Sequence, residues 1–341
     1  MLENIKIKTF LTLSLCVSMI NLYAQDATTG ATETISKKIK KSSEQKWLEA
    51  VSQGKKDVAI KLASEIVNTE DLKDEPHSPY IFFAEKENIK KDFFKAPFNQ
   101  WDFKLWYDAC FFKRIADQEK SIINKQKVTD KNNALFGILF RTVVNRIKPI
   151  EKKYALIPWP SEVWIRKFGV CDRQSWLLSE LAYQAGFDVQ IVYLINPESG
   201  ISPHTICEVL IQDDNGNVTR SVADPFSKVL LKGKSVSDLA VDKELMKKIW
   251  PENKIEHKEW WKALPNSIFW TPSYPQDYCS KNQMLYRKLS AKLGSACPRF
   301  GEDPNRRMLR YKKLTNGNKG FKMGLWHYPF RLLKRELEVN H

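Results

Sequence analysis

Gly169–Gly186, GVCDRQSWLLSELAYQAG, decides how this chain is to be read. Leu177, Leu178, Leu181, Ala182 and Ala185 fall three and four apart, the period of a helix with one buried face. Gly186 is placed to end that helix. Cys171 therefore stands at the helix N-terminus, where partial positive charge and unpaired N–H groups favour a thiolate and can stabilise an oxyanion. Gly169, two residues earlier, is small enough to let a substrate backbone approach closely.

Downstream the period changes. Val189 to Ile195 alternates as a strand, with Val189, Ile191, Tyr193 and Ile195 on one face. A loop through Pro197, Gly200 and Pro203 leads to a second strand, His204 to Gln212, and a polar turn leads to a third, Asn217 to Asp224. Parity then tests whether His204 and Asp224 can meet. A two-residue turn at Asn215-Gly216 pairs Cys207 with Asp224 and puts Asp224 on the wrong face. A three-residue turn, Asp214-Asn215-Gly216 with a left-handed glycine, pairs Asp213 with Asn217 and Ile206 with Asp224. His204 and Asp224 then share a face as diagonal neighbours.

These three residue types have complementary chemistry. A thiol becomes a competent nucleophile when a base lies within hydrogen-bond reach, imidazole suits that task, and a carboxylate fixes its tautomer. Cys171 is the candidate nucleophile, His204 its base and Asp224 the residue that orients the base. Trp159 and Trp164, in the preceding stretch, are candidate oxyanion donors beside the Cys171 N–H, because an indole donates and does not accept. Paired metal-ligand spacing and a phosphate-binding glycine loop are not found, so no metal or cofactor is expected.

From Ala134 to Leu230 the sequence resembles the transglutaminase-like family, a branch of the papain-like fold. The resemblance rests on Gly169-Val170-Cys171 opening the core helix, Leu177 to Gly186, Val189 to Leu194, Pro203-His204-Thr205-Ile206-Cys207-Glu208-Val209 and Ala223-Asp224-Pro225. It departs at Lys167, where the family often has glycine, and at Thr205, where it often has an aromatic. The resemblance implies an α+β fold in which the cysteine-bearing helix packs on an antiparallel sheet bearing His204 and Asp224. It also places Cys171, His204 and Asp224 on the family's nucleophile, base and acid. The family contains acyl transferases, proteases, amidases and inactive members, so fold does not choose among them.

The rest of the 341 residues frames this core. Lys6 and Lys8, an apolar run from Phe10 to Ile20 and Leu22-Tyr23-Ala24 read as a signal peptide, residues 1–24, implying a periplasmic or secreted protein. No later segment is apolar enough to cross a bilayer. A Thr-, Ser- and Lys-rich linker covers 25–41. Next come a helical, aromatic-rich region over 42–130, the catalytic core over 131–235 and a basic, aromatic-rich region over 236–341. Ser42 with Gln45 reads as a capping box at the start of a helix.

Hydrophobic residues are 43% of the chain, which excludes a disordered protein. The net charge is +15, and Lys281 to His341 alone holds fifteen Lys/Arg against four Asp/Glu. Export argues against nucleic acid and for an anionic envelope polymer as the partner of this basic region. Removing the signal leaves Cys110, Cys171, Cys207, Cys279 and Cys297, an odd number in an oxidising compartment. Cys279 and Cys297, bracketing a helical stretch, are the candidate disulfide, and Cys171 stays free. Two function classes follow: a cysteine enzyme acting on a protein or peptide amide, and a silent scaffold that binds an anionic polymer or a peptide.

Overall fold

The structure is a computed structural model. It describes residues 41–66, 76–77, 82–83, 94–95, 98–150, 159–273, 287, 289, 291–292, 298–299, 302–316 and 320–327. The signal peptide, nearly all of the linker, and the Cys279–Cys297 pair lie outside the described residues.

The first helices are α1 (Ser43–Ser52) and α2 (Lys56–Ile66). The Ser42 capping box is present: the Gln45 N–H donates to Ser42 Oγ at 3.2 Å, and the Ser42 N–H donates back to the Gln45 side chain at 3.0 Å. Short strands β1 (Pro76–His77), β2 (Phe82–Phe83) and β3 (Phe94–Lys95) precede the long helix α3 (Phe98–Asn124) and α4 (Lys131–Arg146). Asp130 caps α4 by accepting from the Asn133 N–H.

Next come β4 (Lys148–Pro149), α5 (Pro160–Arg166), β5 (Phe168–Gly169) and α6 (Cys171–Ala185). The sheet strands β6 (Asp188–Leu194), β7 (His204–Gln212), β8 (Val218–Asp224) and β9 (Val229–Lys232) follow. The C-terminal part holds α7 (Val236–Val241), α8 (Lys243–Ile249), α9 (Ile255–Ala263), β10 (Ile268–Ser273), α10 (Pro304–Leu314) and β11 (Lys322–His327).

Seven strands form one sheet in the order β2-β11-β10-β6-β7-β8-β9. Its pairs are antiparallel except β10 with β11. The fold is thus α+β, with strands from the regions on both sides of 131–235 completing the sheet. Both faces of its centre are buried, which is why β6 and β7 read as nearly unbroken apolar runs. One face, with Val189, Ile191, Cys207, Val209, Ile211 and Ala223, packs on α3, α4, α5 and α6 through Phe136, Leu139, Leu177 and Leu181. The other, with Val192, Leu194, Ile206, Val222 and Phe269, packs on the C-terminal helices through Val236, Leu239, Trp250, Trp260 and Tyr311. A third cluster joins α1, α2 and α3 around Trp47, Ala59, Trp106 and Tyr107.

Two polar networks tie these layers together. Lys56 of α2 lies 3.3 Å from Asp108 of α3, which also accepts from Ser161 Oγ of α5 at 2.5 Å. On the far side, Arg310 of α10 grips both oxygens of Asp188 at 2.7 and 2.9 Å, a bidentate pair. Arg299 donates to the carbonyls of Tyr183 and Phe187 at the end of α6. That end is where a helix leaves its last carbonyls unpaired, so a cation is well placed there.

Candidate active site

Cys171 is the first residue of α6, after the extended N-cap Val170. The N–H groups of Arg173 and Gln174 both donate to the Val170 carbonyl, at 3.1 and 3.0 Å. Helix geometry gives the Cys171 and Asp172 N–H groups no helical carbonyl to reach. Cys171 is partly exposed, unlike Cys110 and Cys207, which are buried, and no disulfide joins these three. Cys207 donates to the Ser175 carbonyl at 3.0 Å, and burial pushes its thiol well up. It faces the α6 side, as its parity requires.

Gly169 is needed for a different reason from the one its sequence position suggests. A Cβ there would meet Arg173 Cβ at 3.2 Å and Val163 Cγ1 at 3.3 Å. The space beside it is filled by α5 and α6, so the glycine serves packing of the strand that feeds Cys171. Gln174 reinforces the same turn by donating to the Gly169 carbonyl at 2.8 Å.

His204 opens β7 and Asp224 closes β8. The register pairs Cys207 with Ala223 and Gln212 with Val218, which is the three-residue turn. Asp213 N–H donates to the Asn217 carbonyl at 2.9 Å, and Gly216 has φ +86°, a left-handed conformation that glycine adopts without steric cost. His204 Nε2 consequently lies 2.8 Å from Asp224 Oδ2, with both side chains almost fully buried.

Burial alone would lower the His204 pKa. The charge and hydrogen bond of Asp224, with a hydrogen-bonding and charge interaction from Cys171, outweigh it and raise the pKa to about 10. Burial opposes ionisation of Asp224 as well, but the charge and hydrogen bond of His204 and bonds from Ser227 hold its carboxyl below the usual range. The favoured state is an imidazolium paired with a carboxylate. His204 Nδ1 is buried without a hydrogen bond of good geometry, and the further group acting on the ring is Cys171. The structure therefore pairs His204 with Asp224 and leaves Cys171 acting on the same ring.

Compared with protein-family models, curated proteins and solved structures, the chain matches none. The site has to be read from its own geometry.

Trp159 and Trp164 are both buried in the cluster beneath α6. Lys56 Nζ lies 4.4 Å above the Trp159 ring. Trp164 packs edge-on to Phe111 and Phe112 and carries the Arg146 guanidinium 4.5 Å over its face. These contacts account for both rings as packing residues.

Two tryptophans that sequence reasoning did not select stand against the imidazole. Trp260 of α9 stacks on His204 with centroids 3.7 Å apart and planes 6° from parallel. Trp250, just after α8, donates its Nε1–H to Asp224 Oδ2 at 2.9 Å and meets the imidazole edge-on. Phe226 closes another side at 5.9 Å. The available signal was weak: His257, Trp260 and Ala263 form a short buried stripe on an otherwise charged helix. Among the described residues no cluster suited to hold a metal ion is found, and no helix is long and apolar enough to cross a membrane.

Proposed function

We propose that the chain is an exported cysteine enzyme of the transglutaminase-like, papain-like kind, acting on amide carbonyls of a protein or peptide. The observation that carries this reading is the buried His204–Asp224 pair next to a partly exposed cysteine at a helix start. The imidazolium is the partner a thiolate requires.

The reaction follows from these positions. The Cys171 thiolate forms a C–S bond to the carbonyl carbon, and the carbonyl π electrons move onto oxygen. N–H groups of the first turn of α6 face the resulting oxyanion. As the tetrahedral species collapses, the C–N bond breaks and His204 gives its proton to the departing amine. His204, now neutral, removes a proton from water or an acceptor amine as that group attacks the thioester. The C–S bond breaks, and the thiolate–imidazolium pair returns.

The basic region supports a surface role within the same reading. The helix α10 turns Arg306, Leu309, Lys313 and Leu314 to solvent. This face is assigned to an anionic envelope polymer, which would hold the enzyme near its substrate.

An activated ester tests the catalytic reading. Mixing with p-nitrophenyl acetate is expected to give a burst of nitrophenolate and an acetyl group on Cys171, found by intact mass and peptide mapping. Hydroxylamine or an added amine should discharge it. Acetylation spread over lysines, with Cys171 unmodified, would support a silent scaffold.

A further inference from the structure

Resting on the catalytic reading above, we infer that Trp260 and Trp250 are positioning residues of this site, Trp260 fixing the plane of the His204 ring and favouring its cation, Trp250 fixing the carboxylate that orients it. The region after residue 235 is then part of the active site as well as a basic surface.

The geometry is specific. An imidazole hydrogen-bonded at one nitrogen can still rotate about that bond, and a planar partner stops the rotation. Trp260 does so over the whole ring face, at 3.7 Å and 6°. The negative face of an indole attracts a cation placed over it, and the attraction is largest where water is excluded. His204 is 1% exposed and Trp260 6%. Trp260 is itself held from behind: its ring meets His257 at 4.7 Å and Trp250 edge-on at 5.7 Å. His257 is fixed by its own hydrogen bond, Nδ1 to the Pro251 carbonyl at 2.9 Å.

Trp250 acts on the other member of the pair. Asp224 Oδ2 accepts from His204 Nε2 and from Trp250 Nε1, and Oδ1 accepts from the Ser227 N–H at 3.1 Å. The carboxylate plane is therefore defined from both ends. Other charged groups on the elements around the imidazole are Glu208 on β7, Arg220 on β8, Asp172, Arg173 and Glu180 on α6, Lys243, Glu244, Lys247 and Lys248 on α8, and Glu256, His257, Lys258, Glu259 and Lys262 on α9. Glu208 is engaged by the Tyr311 hydroxyl and the Val236 N–H, and Glu259 by Asn196. Asp224 and Cys171 are the groups that raise the ring's affinity for its proton.

The test follows the His204 imidazole by NMR across pH in the full chain, with the resonance assigned among the five histidines by its loss in His204→Asn. Trp260→Leu is expected to move the titration down by about one pH unit, and Trp260→Phe, which keeps a stacked ring, by much less. The pH profile of Cys171 alkylation should move with it. Should Trp260→Leu fail to fold, fluorinated tryptophan supplies the same measurement. It weakens the negative face while keeping the ring's shape, and the titration must again move down. An unchanged point overturns the inference. So does an upward shift, the result of mere water entry into a loosened core. The titration is read without any reaction, so an unreactive Cys171 would defeat the catalytic reading while leaving this inference decided on its own.

Discussion

Asp224→Asn exchanges one oxygen for an NH2 group and removes the feature on which the site depends. Three donors converge on this carboxylate: His204 Nε2–H at 2.8 Å and Trp250 Nε1–H at 2.9 Å on one oxygen, Ser227 N–H at 3.1 Å on the other. A carboxylate accepts all three, whereas a carboxamide offers one acceptor oxygen and one NH2. If the amide oxygen takes the Oδ2 place, the NH2 faces the Ser227 N–H. If the amide flips, the NH2 faces the imidazole, which must then accept at Nε2 and carry its hydrogen on Nδ1, the nitrogen left for Cys171. The Trp250 N–H is orphaned in that arrangement.

Either way a donor is left unsatisfied, the partly buried Ser227 N–H or the buried Trp250 N–H, at about 1–3 kcal/mol when buried, and the charge opposite the imidazolium is gone. A total of ~3 kcal/mol corresponds to a Tm lower by roughly 4 °C for a chain of 341 residues, at about 2.1 cal/mol/K of unfolding entropy per residue. Amide-for-acid replacement at the orienting position of a triad costs about 10⁴ in rate in the serine enzymes. The expected loss of Cys171 alkylation at neutral pH is about 10²–10⁴. Circular dichroism gives the Tm, and timed iodoacetamide labelling with peptide mapping gives the rate. An unchanged labelling rate in a variant that is destabilised as expected would refute the catalytic role. An unchanged Tm would refute the buried pair itself.

The pair also sets a pH window for stability. The raised His204 pKa contributes fully below its unfolded value near ~6.5 and is lost as pH rises toward about 10. The depressed Asp224 pKa contributes above ~3.9 and is lost as pH falls through its lower folded value. The Tm difference between the native chain and Asp224→Asn should therefore be greatest between these limits and shrink on both sides; a difference flat across pH would contradict the pairing. Lys56→Met leaves the Asp108 carboxylate buried with Ser161 as its remaining partner among the described residues and is expected to cost about 3–5 kcal/mol, read by chemical denaturation, without moving the pH profile of Cys171. Gly169→Ala forces a methyl against Arg173 and Val163, at an expected ~1–3 kcal/mol, with slower Cys171 labelling as the turn shifts.

The parts of the fold that were legible in the sequence are those set by local rules. The spacing of Leu177, Leu178, Leu181 and Ala182 marks α6, and Gly216 selects the turn that puts Asp224 beside His204. Ser42 with Gln45 marks the start of α1. Contacts between distant segments were not legible. Nothing in the local pattern of Ile268–Ser273 or Lys322–His327 says that these strands pair in parallel with each other or that the first lies beside β6. Trp250 and Trp260 belong to short, charged helices, and their partners lie dozens of residues away. Gly169 was misread for a related reason. A glycine beside a candidate nucleophile looks made for substrate, yet its neighbours Val163 and Arg173 occupy the space. Tyr107 and Phe112, both buried on α3, pack against α2 and the α6 layer, another contact between distant segments.

Thiol reactivity across pH tests the central claim most directly. The native chain is treated with limiting iodoacetamide from acid to neutral pH, and modification of Cys110, Cys171 and Cys207 is quantified by peptide. The account predicts that Cys171 reacts first, ahead of the buried Cys110 and Cys207, and that His204→Ala abolishes this advantage. Equal, sluggish labelling that rises only in alkali, unaffected by His204→Ala, would contradict it.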